Sequence, residues 1–177
     1  MAKAFVLIVC ESGSDDYVVS KLRSIETVTS ANGMFGPYDV IAQLNSDSIE
    51  NLENVVTKKI RRLEKILKTI TLLTEKRAEI LDEVFVKKQK DLKGKDAVEA
   101  FIIVNCKNMN EYDTLLNLSK IQEVIDCDIV LGHDVIMCKV SAPTYNDIED
   151  VVTKKIRKLQ GITSTMTLNV IPDKKIS

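Results

Sequence analysis

Apolar residues run almost unbroken through residues 4–10 (AFVLIVC) and again through residues 100–106 (AFIIVNC). A strand with one wet face alternates, so a continuous, β-branched run predicts a strand covered on both faces. After the first run the period becomes helical. In SGSDDYVVSKLRSI, Ser14 is placed to cap, Asp15 and Asp16 suit the positive end of the macrodipole, and Val18, Leu22 and Ile25 share a face. Asn110, Leu115, Leu118 and Ile121 repeat that spacing after the second run. Residues 28–35 and 40–44 then read as strands around Gly36-Pro37-Tyr38-Asp39, and residues 124–131 and 135–140 flank the shorter Gly132-His133-Asp134.

A second helix starts near Asp47-Ser48, with Glu50 placed for a capping box, and its counterpart starts near Thr144. Ile49, Leu52, Val55, Val56, Ile60 and Leu63 form one apolar stripe, and Tyr145, Ile148, Val151, Val152, Ile156 and Leu159 its twin. A last strand follows each, over residues 68–73 and 164–171. Its threonines alternate, so Thr69 and Thr71 share one face, as do Thr165 and Thr167.

The two sets of elements are one sequence written twice. VVTKKIRRLEKI, beginning at Val55, returns as VVTKKIRKLQGI, beginning at Val151, with nine of twelve positions identical and an offset of 151 − 55 = 96. The same offset carries Cys10 onto Cys106, Leu22 onto Leu118 and Gly36 onto Gly132. A period this long marks a duplicated domain rather than a stacking repeat. The expected organisation is residues 1–73, a linker over 74–99, and residues 100–177. Ile80, Leu81, Val84 and Phe85, followed by Gly94, predict a linker helix over residues 75–93, although Val84-Phe85-Val86 also suits a strand. Each repeat reads βαββαβ. The expected fold class is α+β, with two ferredoxin-like units, each a four-stranded antiparallel sheet with both helices on one face. The apolar helix-free faces predict an intramolecular pseudo-dimer, sheet against sheet, since a domain of about 75 residues alone buries a small share of its surface.

Composition narrows the function classes. The net charge of −1 gives no long-range field for nucleic acid or anionic membranes, and no apolar run approaches a membrane span. The opening MAKAFVLIVC has too short an apolar stretch for a signal peptide, so a cytoplasmic location is expected. Lys87, Lys88, Lys90, Lys93 and Lys95 crowd the linker without interleaved aromatics, which predicts a solvated face. The four cysteines form no CxxC pair and are expected as buried thiols. If Gly132 and His133 turn the second hairpin, paired residue numbers sum to 265 and Cys127 lies opposite Cys138. His133 is then roughly 17 Å away, too far to complete a metal site. No nucleophile–base pair or phosphate loop is recognisable, and a lone loop histidine needs partners to move protons. No metal, cofactor or catalytic residue is expected.

The opening AFVLI, the tip Gly36-Pro37-Tyr38-Asp39 with Val40-Ile41, the helix VVTKKI and the closing Thr69-Ile70-Thr71-Leu72 resemble the effector-binding (RAM) domain of the Lrp/AsnC regulators. AFIIV, Gly132-His133-Asp134-Val135-Ile136, VVTKKI and Thr165-Met166-Thr167-Leu168 resemble it again. The resemblance implies sheet-to-sheet pairing, further self-association, and binding of an amino acid or related metabolite near the hairpin tips. Gly36, Tyr38 and Asp39, with Gly132, His133 and Asp134, are the effector-binding positions it implies. The second tip lacks the tyrosine, so the two pockets need not be equivalent. No helix-turn-helix precedes the first strand, so sequence-specific DNA binding is expected only through a partner regulator of the same family. The fold also resembles the dimeric α/β-barrel enzymes, which include small oxygenases, isomerases and haem-precursor decarboxylases. That leaves an enzyme as the alternative function, and a pure assembly module as a third.

Overall fold

The computed structural model describes residues 1–107 and 111–173. Asn110, expected in a helix, lies outside them. The chain divides into two compact units, one of residues 1–76 with the segment from Val170 onward, the other Arg77–Asn169.

In the first unit β1 (Ala2–Cys10) is followed by α1 (Asp15–Arg23), β2 (Val28–Gly33), β3 (Val40–Ser46), α2 (Ile49–Val55) and β4 (Ile66–Leu73). The sheet order is β2-β3-β1-β4, antiparallel throughout. Ala4, Val6, Ile8 and Cys10 of β1 pack with Val18 and Leu22 of α1 and Leu52 and Val55 of α2. Phe5 and Leu7 alternate with them, which makes β1 apolar on both faces and explains its unbroken run.

The second unit repeats the plan after one added helix, α3 (Glu79–Leu92). It continues with β5 (Val98–Cys106), α4 (Glu111–Ser119), β6 (Val124–Val130), β7 (Val135–Ala142), α5 (Tyr145–Val151) and β8 (Ile162–Asn169), in the sheet order β6-β7-β5-β8. Each unit is therefore a βαββαβ plait of the expected α+β class.

Local details depart from the sequence expectation where side-chain hydrogen bonds decide them. Ser14 makes no cap to α1; its hydroxyl donates to Glu11 O instead. Ser48, not Asp47, caps α2, accepting from Asn51 N at 3.1 Å, so Glu50 is one residue too early for a capping box. Its counterpart Thr144 does complete the box, exchanging hydrogen bonds with Asp147. Ile49, assigned to the apolar stripe, is 44% exposed. Residues 84–86 are helical, within α3.

In both repeats the helix carrying VVTKKI loosens into one π-helical stretch, Val56–Ile60 and Val152–Ile156. Thr57 donates its hydroxyl to Glu53 O and Thr153 to Glu149 O, a back-bond that competes with the regular ladder. The widened turn delivers Arg61 Nε to Thr69 and Arg157 Nε to Thr165 on the closing strands.

Each outer strand on the β2/β6 side is covered. At β2, Met34 bridges to Val170, Ile171 N–H donates to Gly33 O at 2.8 Å, and Arg23 joins Ala31 O to Asp173. At β6, α3 lies across the edge: Arg77, Lys88 and Gln89 donate to the carbonyls of Cys127, Val124 and Ile125. Unpaired edges invite association with other chains, and both coverings block it. Among the described residues no helix is long and apolar enough to cross a membrane.

Candidate functional site

The hairpin tips hold themselves in different ways. In the first unit Gly36 takes φ +114°, open to glycine alone, and Asp39 is bound on three sides. Its carboxylate accepts from Cys10 N at 2.9 Å, its N–H donates to Ile8 O, and its carbonyl accepts from Met34 N. In the second unit the same strand end is held by main chain, Cys106 N donating to Asp134 O at 2.9 Å. Asp134 reaches this through a left-handed φ of 51°, which aspartate tolerates. The second tip is not shorter, contrary to the sequence expectation: Ile8 faces Val40 and Val104 faces Ile136, an offset of 96 on both strands, so Asp134 takes the place of Tyr38 and a side-chain acceptor is exchanged for a backbone one. Gly132, His133 and Asp134 are exposed, and Tyr38 and Asp39 half-buried. The Asp39 carboxylate is engaged structurally, whereas that of Asp134 faces solvent.

A more enclosed site lies elsewhere in the second unit. The C-terminal half of α3, the approach to β5, the α4–β6 turn and the end of β7 surround a cleft of about 340 Å³. Leu92, Ala97, Ala142 and Pro143 supply apolar walls, and Asp91, Lys95 and Asp96 lie at its rim. Among the described residues these three charges form no ion pair. Glu123, also lining it, is paired with Lys155. A volume of this order suits a small metabolite.

Lys88 anchors the cleft. Its ammonium donates to Ser119 O at 2.7 Å, Ile121 O at 2.7 Å and Val124 O at 2.8 Å, gathering carbonyls from the end of α4, the turn after it and the start of β6. Burial pulls its pKa below the usual lysine range. The lysine-rich linker is therefore not uniformly a solvated face: Lys88 is turned inward by three acceptors that a count of charges cannot reveal. A second cleft of about 300 Å³ lies between α5 with its π-helical stretch and β8. There the buried Asn169 Oδ1 makes no hydrogen bond.

All four cysteines are free and buried. Among the described residues no cluster of three or more His, Cys, Asp or Glu side chains is placed to hold a metal. Burial, reinforced by Glu111 and Cys138, pushes the Cys106 thiol up to about 11 from an ordinary 9.0. A group raised on folding contributes stability that is complete below its unfolded pKa and lost as pH climbs through the folded value. Stability is therefore expected to hold up to about pH 9 and to fall between pH 9 and 11, and Cys106→Ala to flatten part of that fall. Native Cys106 is also expected to alkylate roughly a hundredfold more slowly at pH 8 than in the unfolded chain, following its thiolate fraction. Equal rates in peptide-resolved alkylation would contradict the burial argument.

No curated protein matches the chain. Among solved structures, FFRP-DM1 is 32% identical across 42% of this chain and 100% of its own, with a TM-score of 0.41. The hypothetical protein PHS023 from Pyrococcus horikoshii is 30% identical across 45% of this chain and 95% of its own, with a TM-score of 0.42. The siroheme decarboxylase NirDL aligns with 96% of this chain and 71% of its own at a TM-score of 0.67, but at 8% identity, a likeness of fold alone. A model of the Lrp/AsnC ligand binding domain matches residues 3–78 and again residues 99–176. With both repeats so covered, the chain belongs to the Lrp/AsnC ligand-binding-domain family.

Proposed function

We propose that this protein is a non-catalytic effector-binding protein whose ligand is an amino acid or related small metabolite. The observation that carries the reading is the cleft beside α3, where an apolar wall meets rim charges of both signs. Lys95 suits a carboxylate, and Asp91 and Asp96 suit an ammonium group. The family's ligand-binding character supports the same reading. Binding then biases self-association or a partner regulator that carries its own DNA-binding domain.

A thermal-shift screen of the full chain against amino acids and their keto-acid relatives tests the proposal. A binder at a hundred times its dissociation constant adds about 2.7 kcal/mol, a visible rise in melting temperature. Asp91→Asn and Lys95→Ala are expected to abolish the shift. If Asp134→Asn or His133→Ala abolishes it instead, the ligand sits at the hairpin tip implied by resemblance. A panel without any shift, and with unchanged size in light scattering, would sink the effector reading.

A further inference from the structure

Cys127 and Cys138 stand opposite one another in the β6–β7 ladder. The main chain of Cys127 is turned away from β7: its N–H donates to Asp126 Oδ1 at 3.1 Å and its carbonyl accepts from Arg77 Nη1 at 2.6 Å. In an antiparallel ladder the two backbone groups of a residue point the same way, so this is a non-hydrogen-bonded pair. That is the closer kind, with Cα atoms about 4.5 Å apart, inside the span of about 4.4–6.8 Å that a disulfide bridges. Both side chains point into the helix-side core, both are fully buried, and their Sγ atoms are 2.8 Å apart.

The other thiols are out of register. Cys138 faces Ile102 on β5, and Cys106 lies 106 − 102 = 4 residues further along. At strand rise that is about 13 Å. The repeat offers no counterpart either, because the positions 96 residues earlier, Ala31 and Ala42, are alanines. The pair belongs to the second unit alone.

We propose that Cys127 and Cys138 are a disulfide-forming site, a redox modification built into the β6–β7 hairpin beneath α3. The oxidant is a small-molecule disulfide. One cysteine, as thiolate, attacks a sulfur of the reagent and releases one small thiolate. The second cysteine, as thiolate, attacks the mixed disulfide at the protein sulfur and releases the other. Each departing thiolate takes up the proton its attacker lost, so the protein loses two hydrogens and the reagent is reduced to two thiols.

Access governs the rate. Burial pushes the Cys127 thiol well above its ordinary pKa, and α3 covers the β6 edge through Arg77, Lys88 and Gln89. Exchange therefore waits for α3 to lift, and the reduced pair persists under brief or mild exposure. Once formed, the link fixes the strand on which α3 is docked.

The test is to incubate the full chain with excess oxidised glutathione, native in one arm and refolded from denaturant in the same buffer in the other. Thiols are then counted by alkylation after unfolding, and the linkage is mapped by peptide mass. The expected product is lighter by two hydrogens, with two of four thiols blocked and the 127 peptide joined to the 138 peptide. Phe85→Ala, which loosens α3, should form it at least tenfold faster in the native arm. Cys10→Ser/Cys106→Ser should retain the link, and Cys127→Ser should lose it. A link found only after refolding supports the site and places its formation before α3 docks. Four alkylatable thiols in both arms, or a link mapped to another pair, would overturn the proposal.

Discussion

Replacing Arg77 with alanine is expected to remove about 3–5 kcal/mol of stability, the largest loss for any single polar side chain in the second unit. The guanidinium donates to Asp126 Oδ1 at 2.5 Å, Cys127 O at 2.6 Å, Asp82 Oδ1 at 2.6 Å and Asp128 Oδ1 at 3.3 Å. Arg77 and Asp126 are about 15% exposed and Asp128 only 5%. Burial alone would pull the guanidinium's pKa down, but Asp126 and Asp128 outweigh it and hold the group above its usual range. The charge is therefore fixed, and both carboxylates face it. Removing one member of a buried charge cluster costs far more than the pair itself contributes. The measurement is a urea midpoint for the full chain at neutral pH. Arg77→Lys should recover a minor part, since an ammonium cannot present the same planar fork. A loss below about 1 kcal/mol would mean that Arg77 behaves as an exposed surface ion pair.

None of this cluster was legible from the sequence, and the reason is physical. Periodicity reports which face of an element is apolar, and it found both plaits, the strand order they imply and the register that sets Cys127 against Cys138. It has no means to report a polar side chain that turns inward to meet carbonyls from another element. Arg77 sits in a polar stretch, KRAE, and Lys88 in a run of lysines, yet both are anchors of α3. Asp126 and Asp128 alternate with apolar residues along β6, the pattern of an ordinary half-exposed strand. The π-helical stretches were equally silent, because VVTKKI keeps a helical apolar stripe through the widened turn. The candidate site follows the same rule. Resemblance directs attention to the hairpin tips, which one repeat can show by itself. The cleft beside α3 depends on a segment that belongs to neither repeat.

The contribution of that segment rests on Phe85 as much as on Arg77. Phe85 is 1% exposed and packs in the core of the second unit with Leu81 and the helix-side residues of β5, β6 and β7. Arg77 Cζ lies 4.8 Å from its ring centroid and Lys88 Nζ 5.6 Å, so the ring is also the platform on which both cationic anchors rest. Phe85→Ala is expected to cost about 3–5 kcal/mol, the ordinary loss for a truncated core aromatic. Ile80→Ala, 67% exposed on the same helix, should stay within about 0.5 kcal/mol. The two anchors should also couple. If the ring positions the guanidinium, the Arg77→Ala/Phe85→Ala double variant loses less than the sum of the single losses, by about 0.5–3 kcal/mol. Strict additivity would mean that the ring fills volume without orienting the arginine. A small Phe85→Ala effect would instead detach α3 from the core, and with it the wall of the cleft to which effector binding is assigned.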